Sequence, residues 1–371
     1  MADTAPSPLR VLMVTPNFPP HRGGVETHTY EVSRRLGALG LAVEVLTTDR
    51  SGVLPREEVM AGVPVRRVAA FPSRGDLYWS PAVARYVSRA TADLIHCQGY
   101  HTFVPILAMM AARRRGVPYV LTFHSGGHSS RLRHASRPLQ IRLLRRLLLG
   151  ARRLIAVSDF EAEQFRRALG VDAERVVVIP NGIDLSDGPD GARDRDPALI
   201  LSVGRLERYK GHDRLVRALR HVRQELPSAR LRILGDGPDA ARLRRLAERS
   251  GVAGAVAIGA LPREEMRAAL QEASVVALLS EYESHGLGVH EALLFGCRIV
   301  TLDSSALGEL RDVSQALVVS AEASDRVVAD ALLAQLRAGP VTDPPPTAST
   351  WDDCAGRLAE LYREVAVTAR P

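Results

Sequence analysis

Short apolar runs alternate with longer amphipathic stretches along the chain, the pattern of βαβ units that feed a parallel sheet. The run at 10–15 predicts a first strand, and the 3.6-residue period over 25–39 predicts the helix that follows it. Further strands are expected at 41–48, closed by Asp49, and at 94–97, 119–123 and 154–157, with helices between them. A second series then begins, with strands at 198–203, 230–234, 255–258, 275–280 and 298–302 and a helix over 212–226. Residues 186–197, polar and broken by Gly and Pro, separate the two series as a linker. The stretch 351–367 is helical in period and follows the proline-rich segment 340–346, so it is expected to return across the domain boundary. The prediction is therefore an α/β chain with a first α/β domain over 1–185, a linker over 186–197, a second α/β domain over 198–350 and a C-terminal helix over 351–371.

Composition narrows this picture. A chain of 371 residues that is 46% hydrophobic can bury two ordinary cores, since single domains hold roughly 100–200 residues. No apolar run reaches the length of a signal segment or a membrane span, which points to a cytoplasmic protein. Cys97, Cys297 and Cys354 lie far apart without metal-ligand spacing, so buried thiols are expected, with no disulfide framework and no zinc site. The net charge of +7 falls largely on helices where arginines interleave with leucines, as at 142–147. Solvated helix faces follow from that, with no nucleic-acid partner. The basic, leucine-rich stretch 131–153 fits two readings, a packed helix with an arginine face or a peripheral contact at the inner face of a membrane. Among 49 lysines and arginines there is a single lysine, Lys210, and it falls inside a candidate phosphate site.

The richest segment for chemistry is 281–296, directly after a predicted strand. A helix starting near Leu287 would aim its free N–H groups beyond the strand end, where an anion is favoured, and Gly286 and Gly288 would let the backbone approach it closely. Glu291, one turn inside that helix, could accept hydrogen bonds from a ribose diol, and Glu283 from the hydroxyls of a second sugar. Acids at a helix start also complement its dipole, so both readings stand at this point. Arg205 and Lys210 lie between another strand and helix and suit a departing diphosphate, with no Walker spacing. Gly23 and Gly24 enter a helix, but the full dinucleotide fingerprint is absent. His124 stands just past a strand end, where ligands of open α/β sheets collect.

These residues together resemble the retaining glycosyltransferases of family 4, which have the GT-B architecture of two Rossmann-like domains facing a central cleft with a C-terminal helix crossing back to the first. The resemblance runs through Gly23 and Gly24, Val157 and Ser158, 180–184, Gly204 with Arg205, Lys210 with Gly211, 235–238, Glu283 to Glu291 and the Trp351 helix. It implies that Arg205 and Lys210 hold the donor diphosphate, Glu291 the ribose hydroxyls and Glu283 the transferred sugar. The backbone of Gly286 and Leu287 would assist at the phosphates, His285 would touch the sugar, and Gly259 and Leu261 would flank the nucleobase. His124 would stand beside the reacting sugar, and Gly23 and Gly24 would face donor and acceptor. Departures from the family pattern are His285 in place of an aromatic, Arg298 in place of a proline, and the serines at 304–305 in place of a glycine turn.

The resemblance further implies transfer of a hexose or N-acetylhexosamine from a nucleoside-diphosphate sugar, UDP-sugar favoured over GDP-mannose, to a hydroxyl on a small-molecule, lipid or glycan acceptor. No carboxylate stands out as a nucleophile for double displacement. Same-face displacement is expected instead, assisted by the leaving diphosphate and without a metal or other cofactor. The D-x-D match at Asp194 and Asp196 falls in the proposed linker. A nucleotide-sugar 2-epimerase and a non-catalytic sugar-nucleotide-binding subunit are the rival readings.

Overall fold

The computed structural model describes residues 7–21, 23–73, 78–126, 131–184, 195–260, 263–339, 341 and 349–368. The chain divides into two compact units, the first comprising Met1–Ser125, Ser136–Gly182 and Ser349–Pro371, the second Gly126–Ala135 and Ile183–Ala348.

In the first unit, β1 (Arg10–Val14), β2 (Ala42–Asp49), β3 (Glu57–Met60), β4 (Val63–Ala69), β5 (Leu94–Gln98), β6 (Tyr119–Thr122), β7 (Arg153–Ala156) and β8 (Val176–Val178) form one sheet in the order β3-β4-β2-β1-β5-β6-β7-β8. Only β3 runs antiparallel to its neighbour. The helices α1 (Gly24–Leu36), α2 (Pro81–Val87), α3 (Phe103–Arg115), α4 (Arg131–Leu148, in this unit from Ser136 onward) and α5 (Asp159–Leu169) connect the strands. The central strand β1 is fully buried from Val11 to Val14, as a strand covered on both faces must be. α1 ends at Leu36, short of the expected 39, where Gly37 and Gly40 bracket a turn. Three of the strands, β3, β4 and β8, were not expected from the sequence.

The second unit repeats the plan with six parallel strands, β9 (Asp196–Val203), β10 (Arg230–Leu234), β11 (Val256–Gly259), β12 (Ala273–Leu278), β13 (Arg298–Asp303) and β14 (Ala316–Ser320), in the order β11-β10-β9-β12-β13-β14. Its helices are α6 (His212–Glu225), α7 (Ala240–Arg249), α8 (Arg263–Glu272), α9 (Leu287–Leu294) and α10 (Asp325–Arg337). β9 begins inside the segment expected as linker. Asp196 is part of the strand, accepting from the Ala198 amide at 2.9 Å and pairing with Arg230. It is thus a structural carboxylate, while Asp194 lies outside the described residues.

The last helix, α11 (Trp351–Thr368), belongs to the first unit and opens with a reciprocal cap. The Thr350 amide donates to Asp353 at 2.9 Å and the Asp353 amide donates to the Thr350 hydroxyl at 3.0 Å. Its apolar face buries Trp351, Leu358, Tyr362 and Val365, and Arg35 donates to Asp352 at 2.8 Å. At its start the chain passes so close to Gly182 that a Cβ there would lie 2.1 Å from the Trp351 amide nitrogen. Backbone cannot yield as a side-chain tip does. Gly182→Ala is therefore expected to loosen the α11 start and cost about 2 kcal/mol, a drop of roughly 4–8 °C in Tm. A melting curve unchanged from wild type would refute that close approach.

Candidate active site

Strand order reverses around β1 and β5 in the first unit and around β9 and β12 in the second, and in open α/β sheets ligands settle at the carboxyl ends of such strands. The loops that leave those strands carry most of the residues singled out above.

In the second unit, the loop 204–211 after β9 carries Arg205 and Lys210, and the loop 279–286 after β12 carries Glu283. Gly211, at φ 70°, makes their approach possible, because a Cβ there would fall 1.9 Å from the Leu279 carbonyl oxygen. The Glu281 amide then donates to the Tyr209 carbonyl at 2.7 Å, tying one loop to the other. Across this junction Lys210 Nζ donates to Glu283 Oε1 at 2.5 Å, with both side chains largely buried. Burial works against the Lys210 cation, but the attraction and hydrogen bond of Glu283 outweigh it and raise its pKa above the ordinary lysine value.

Glu283 is held at further points. The Ser280 hydroxyl donates to the same Oε1 at 2.7 Å, and the Glu283 amide donates to Ser305 Oγ at 2.7 Å. Ser305 stands at φ 52°, a left-handed conformation that favours glycine, while its hydroxyl gives this chain an added grip on Glu283. Ser280 was not singled out by sequence, and Ser305 was noted only as a departure from a glycine turn. Arg205 pairs with Glu207 at 2.6 Å and donates to the Tyr209 hydroxyl at 2.8 Å. Behind the loop, His212 is set between Ser202 Oγ at 3.1 Å and the Arg205 carbonyl at 3.3 Å, and burial lowers its pKa to about 4. It is neutral at pH 7, so the positive charge of the loop comes from its arginines and Lys210.

α9 starts at Leu287, as expected, with Gly286 at φ 79° as its N-cap. The first amides of such a helix have no intrahelical acceptor and favour an anion. Glu291 is half-buried one turn further on, and His285 stacks on His290 with ring centroids 4.4 Å apart. Gly259 closes β11, where its carbonyl accepts from the Gly235 amide at 2.9 Å. Leu261 lies outside the described residues.

In the first unit, a cavity of about 210 Å³ opens at the ends of β1, β2, β5 and β6, its wall including Asn17, Glu26, Arg50, Tyr78, Gln98 and His124. Gly23 and Gly24 lie at the start of α1, the helix that contributes Glu26 to this wall. The Arg50 guanidinium lies 4.5 Å from the centre of the Tyr78 ring. His124 is buried at φ 45°, a conformation that costs a non-glycine residue about 1–3 kcal/mol. Two contacts hold it there. Its Nε2 lies 2.7 Å from Gln98 Oε1, and the next residue, Ser125, gives its amide and its hydroxyl to Glu161 Oε1, the amide at 2.6 Å. Because Oε1 of Gln98 can only accept, Nε2 of His124 carries the proton.

Behind this pair runs a buried polar chain. The Gln98 amide approaches His96 at 3.3 Å, His96 contacts the Tyr362 hydroxyl of α11 at 2.5 Å and Thr122 Oγ1 at 2.7 Å, and the His28 ring meets His124 edge-on at 4.6 Å. His28 Nδ1 contacts Asn181 at 2.8 Å, and burial drives the His28 pKa down to about 4. Gln98, His96, His28 and Glu161 escape a sequence reading because their partners are tertiary. Only Glu161 left a local signal, the Ser158 to Glu161 capping-box spacing, and that signal points to a helix start. Among the described residues no helix is long and apolar enough to cross a membrane, and no three His, Cys, Asp or Glu side chains converge on a metal position. α4 exposes Leu139 and Leu143.

Comparison with known proteins places the chain in a family. The family described as Glycosyltransferase Family 4 matches residues 22–187, and that described as Glycosyl transferases group 1 matches 188–336. The chain is 30% identical over 338 residues to a glycogen synthase of Mycobacterium tuberculosis, which covers 81% of this chain and 80% of that protein. It is 34% identical over 328 residues to a D-inositol 3-phosphate glycosyltransferase of Frankia alni, covering 78% and 79%. Among solved structures, sucrose-phosphate synthase from Thermosynechococcus elongatus superposes with a TM-score of 0.77 at 19% identity, over 97% of this chain and 100% of that one. Anabaena HepE in complex with UDP and glucose superposes with a TM-score of 0.71 at 20% identity, over 97% of each chain. At such identities the superpositions speak for the fold alone, which is GT-B. With parallel-sheet units that both match and relatives at 30% identity and above, the chain belongs to the family 4 glycosyltransferases and is an enzyme of glycosyl transfer.

Proposed function

We propose that the protein moves a hexose or N-acetylhexosamine from a nucleoside-diphosphate sugar, a UDP-sugar in preference, to a hydroxyl acceptor with retention at the anomeric carbon and without a metal. The observation that carries this reading is the buried Lys210–Glu283 pair beside the start of α9, where a cation, a carboxylate and the first amides of a helix occupy loops tied to one another. In this reading the second unit takes the donor. Lys210, Arg205 and the first amides of α9 bind its diphosphate, Glu291 takes the ribose diol, and Glu283 takes the hydroxyls of the transferred sugar. The first unit takes the acceptor in the cavity beside His124.

In the reaction, the bond from the anomeric carbon to the donor phosphate oxygen breaks, and the acceptor oxygen attacks from the same face. The acceptor proton passes to that phosphate oxygen, and Arg205 and Lys210 stabilise the diphosphate charge as it develops. The UDP preference is supported by a structural neighbour that is recorded with UDP. Calorimetric titration with UDP, GDP and ADP tests the donor assignment. UDP is expected to bind most tightly, and Glu291→Ala to weaken it about tenfold, the loss of one charge-assisted hydrogen bond pair. Absence of binding by all three nucleotides would sink the reading. Product anomericity and full activity in EDTA check retention and metal independence; an inverted linkage or loss of turnover in EDTA would overturn the respective claim.

A further inference from the structure

The first unit contains a second cavity, about 810 Å³, that shares no lining residue with the His124 pocket. Its walls are β2, β4, the loop 50–56 and α2 with the turn that follows, and five arginines enter them, Arg56, Arg66, Arg67, Arg85 and Arg89. Two of these are neutralised, Arg66 by Glu57 and Arg67 by Glu58. The wall also holds two carboxylates, and both are already engaged. Glu44 accepts from the Tyr86 hydroxyl, and Asp49 accepts from the Ser51 amide at 2.8 Å, the Ser51 hydroxyl at 2.6 Å and the Leu54 amide at 3.1 Å. Arg56, Arg85 and Arg89 have no carboxylate partner among the described residues.

Three guanidinium forks without a carboxylate partner outnumber the two wall carboxylates, Glu44 and Asp49, and leave the concavity net positive, and the fork geometry matches phosphate oxygens. The volume is that of a metabolite site, well above what inorganic phosphate fills. Tyr86 and Thr91 add hydroxyls to the wall.

Arg67 connects this cavity to the loop ahead of α1. Its side chain is buried, one guanidinium nitrogen donates to the Pro19 carbonyl at 2.6 Å, and the other donates to the Pro55 carbonyl at 3.3 Å. Pro19 lies in the segment between β1 and α1 that leads through Gly23 to Gly24, the first residue of α1. The geometry points to a second ligand site, for a phosphorylated, hydroxyl-bearing metabolite, whose occupancy is felt through Arg67 in the glycine loop. This site is independent of the donor assignment proposed above, because it is built wholly from first-unit residues.

Glucose 6-phosphate serves as the probe, titrated calorimetrically into wild type, the Arg85→Ala/Arg89→Ala double variant and Lys210→Ala. Saturable binding is expected in wild type and Lys210→Ala, and at least about tenfold weaker binding in the double variant. Both arginines are exposed, Arg85 on α2 and Arg89 in the turn that follows it, so matching melting curves and UDP titrations verify that the double variant is folded. Hydrogen exchange over residues 17–25 is expected to slow when wild type is saturated with the probe. No saturable binding at about 10 mM, or equal binding in the double variant, would overturn the site. Loss of binding in Lys210→Ala would assign the probe to the donor loops and overturn it equally, and unchanged exchange over 17–25 would remove the coupling.

Discussion

Lys210→Ala is expected to lower kcat/KM about 10²–10³-fold, the cost of removing one group aimed at developing charge. The size follows from where the ammonium sits. Lys210 is largely buried and lies 2.5 Å from Glu283 on a loop pinned by Gly211 and by the Glu281 to Tyr209 hydrogen bond, so its charge acts at low solvent screening and cannot drift. Truncation also strands Glu283, which keeps Ser280 and Ser305 as partners but loses its counter-charge. That loss would appear as a lower melting temperature, so stability and rate must be measured together. Lys210→Arg separates the two effects. It retains the charge and spares the fold, but its planar fork does not fit a position enclosed by Glu283 and Tyr209, and kcat is expected to fall more than KM rises. A Lys210→Ala enzyme within about threefold of wild-type kcat/KM would show that another group stabilises the leaving diphosphate.

How much of this was visible beforehand depends on burial. Strands covered on both faces read as unbroken apolar runs, and β1, β9 and β12 were found from sequence for that reason. β3 and β4 were missed because they form an edge pair in which Glu57, Glu58, Arg66 and Arg67 interrupt the pattern. β8 and β14, also at sheet edges, were missed although Val176–Val178 and Ala316–Val319 are unbroken apolar runs, because both are short and partly exposed. The strand-end glycines and the lone lysine marked the loops of the second unit, since a close backbone approach and a cation at fixed local spacing are legible in sequence. The support around His124 had no such local code. Gln98 and His96 sit in a strand that otherwise reads as apolar, and the partner of His96 on α11 is 266 residues away. Glu161 follows the local capping rule in its spacing, yet its carboxylate serves Ser125 on another strand end.

The same buried groups make the protein sensitive to acid in a way that can be worked out residue by residue. His28 and His212 have pKa values lowered by burial from 6.5 to about 4, and burial together with His28 holds His96 well below 6.5. Below pH 6.5 the unfolded chain binds protons that these folded histidines refuse. Each therefore removes stability as pH falls, by roughly 1.4 kcal/mol per pH unit, until its folded pKa is reached. Glu161 acts in the opposite sense. Burial raises its pKa from 4.5 to about 7 against the hydrogen bonds from Ser125 and Val157, so the folded state takes up this proton first and gains stability as pH falls from about 7 to 4.5. In the first unit two histidines oppose one glutamate, leaving a net loss of roughly 1.4 kcal/mol per pH unit between 6.5 and 4.5, or about 3 kcal/mol over the interval. Urea unfolding followed across that range is expected to show this slope. Glu161→Gln removes the compensating proton, so its slope should be about twice as steep even though the variant keeps a hydrogen-bonding partner for Ser125. A wild-type stability that is flat from pH 6.5 to 4.5 would mean that the histidines are protonated in the folded state, and equal slopes in the two proteins would mean that Glu161 is ionised throughout.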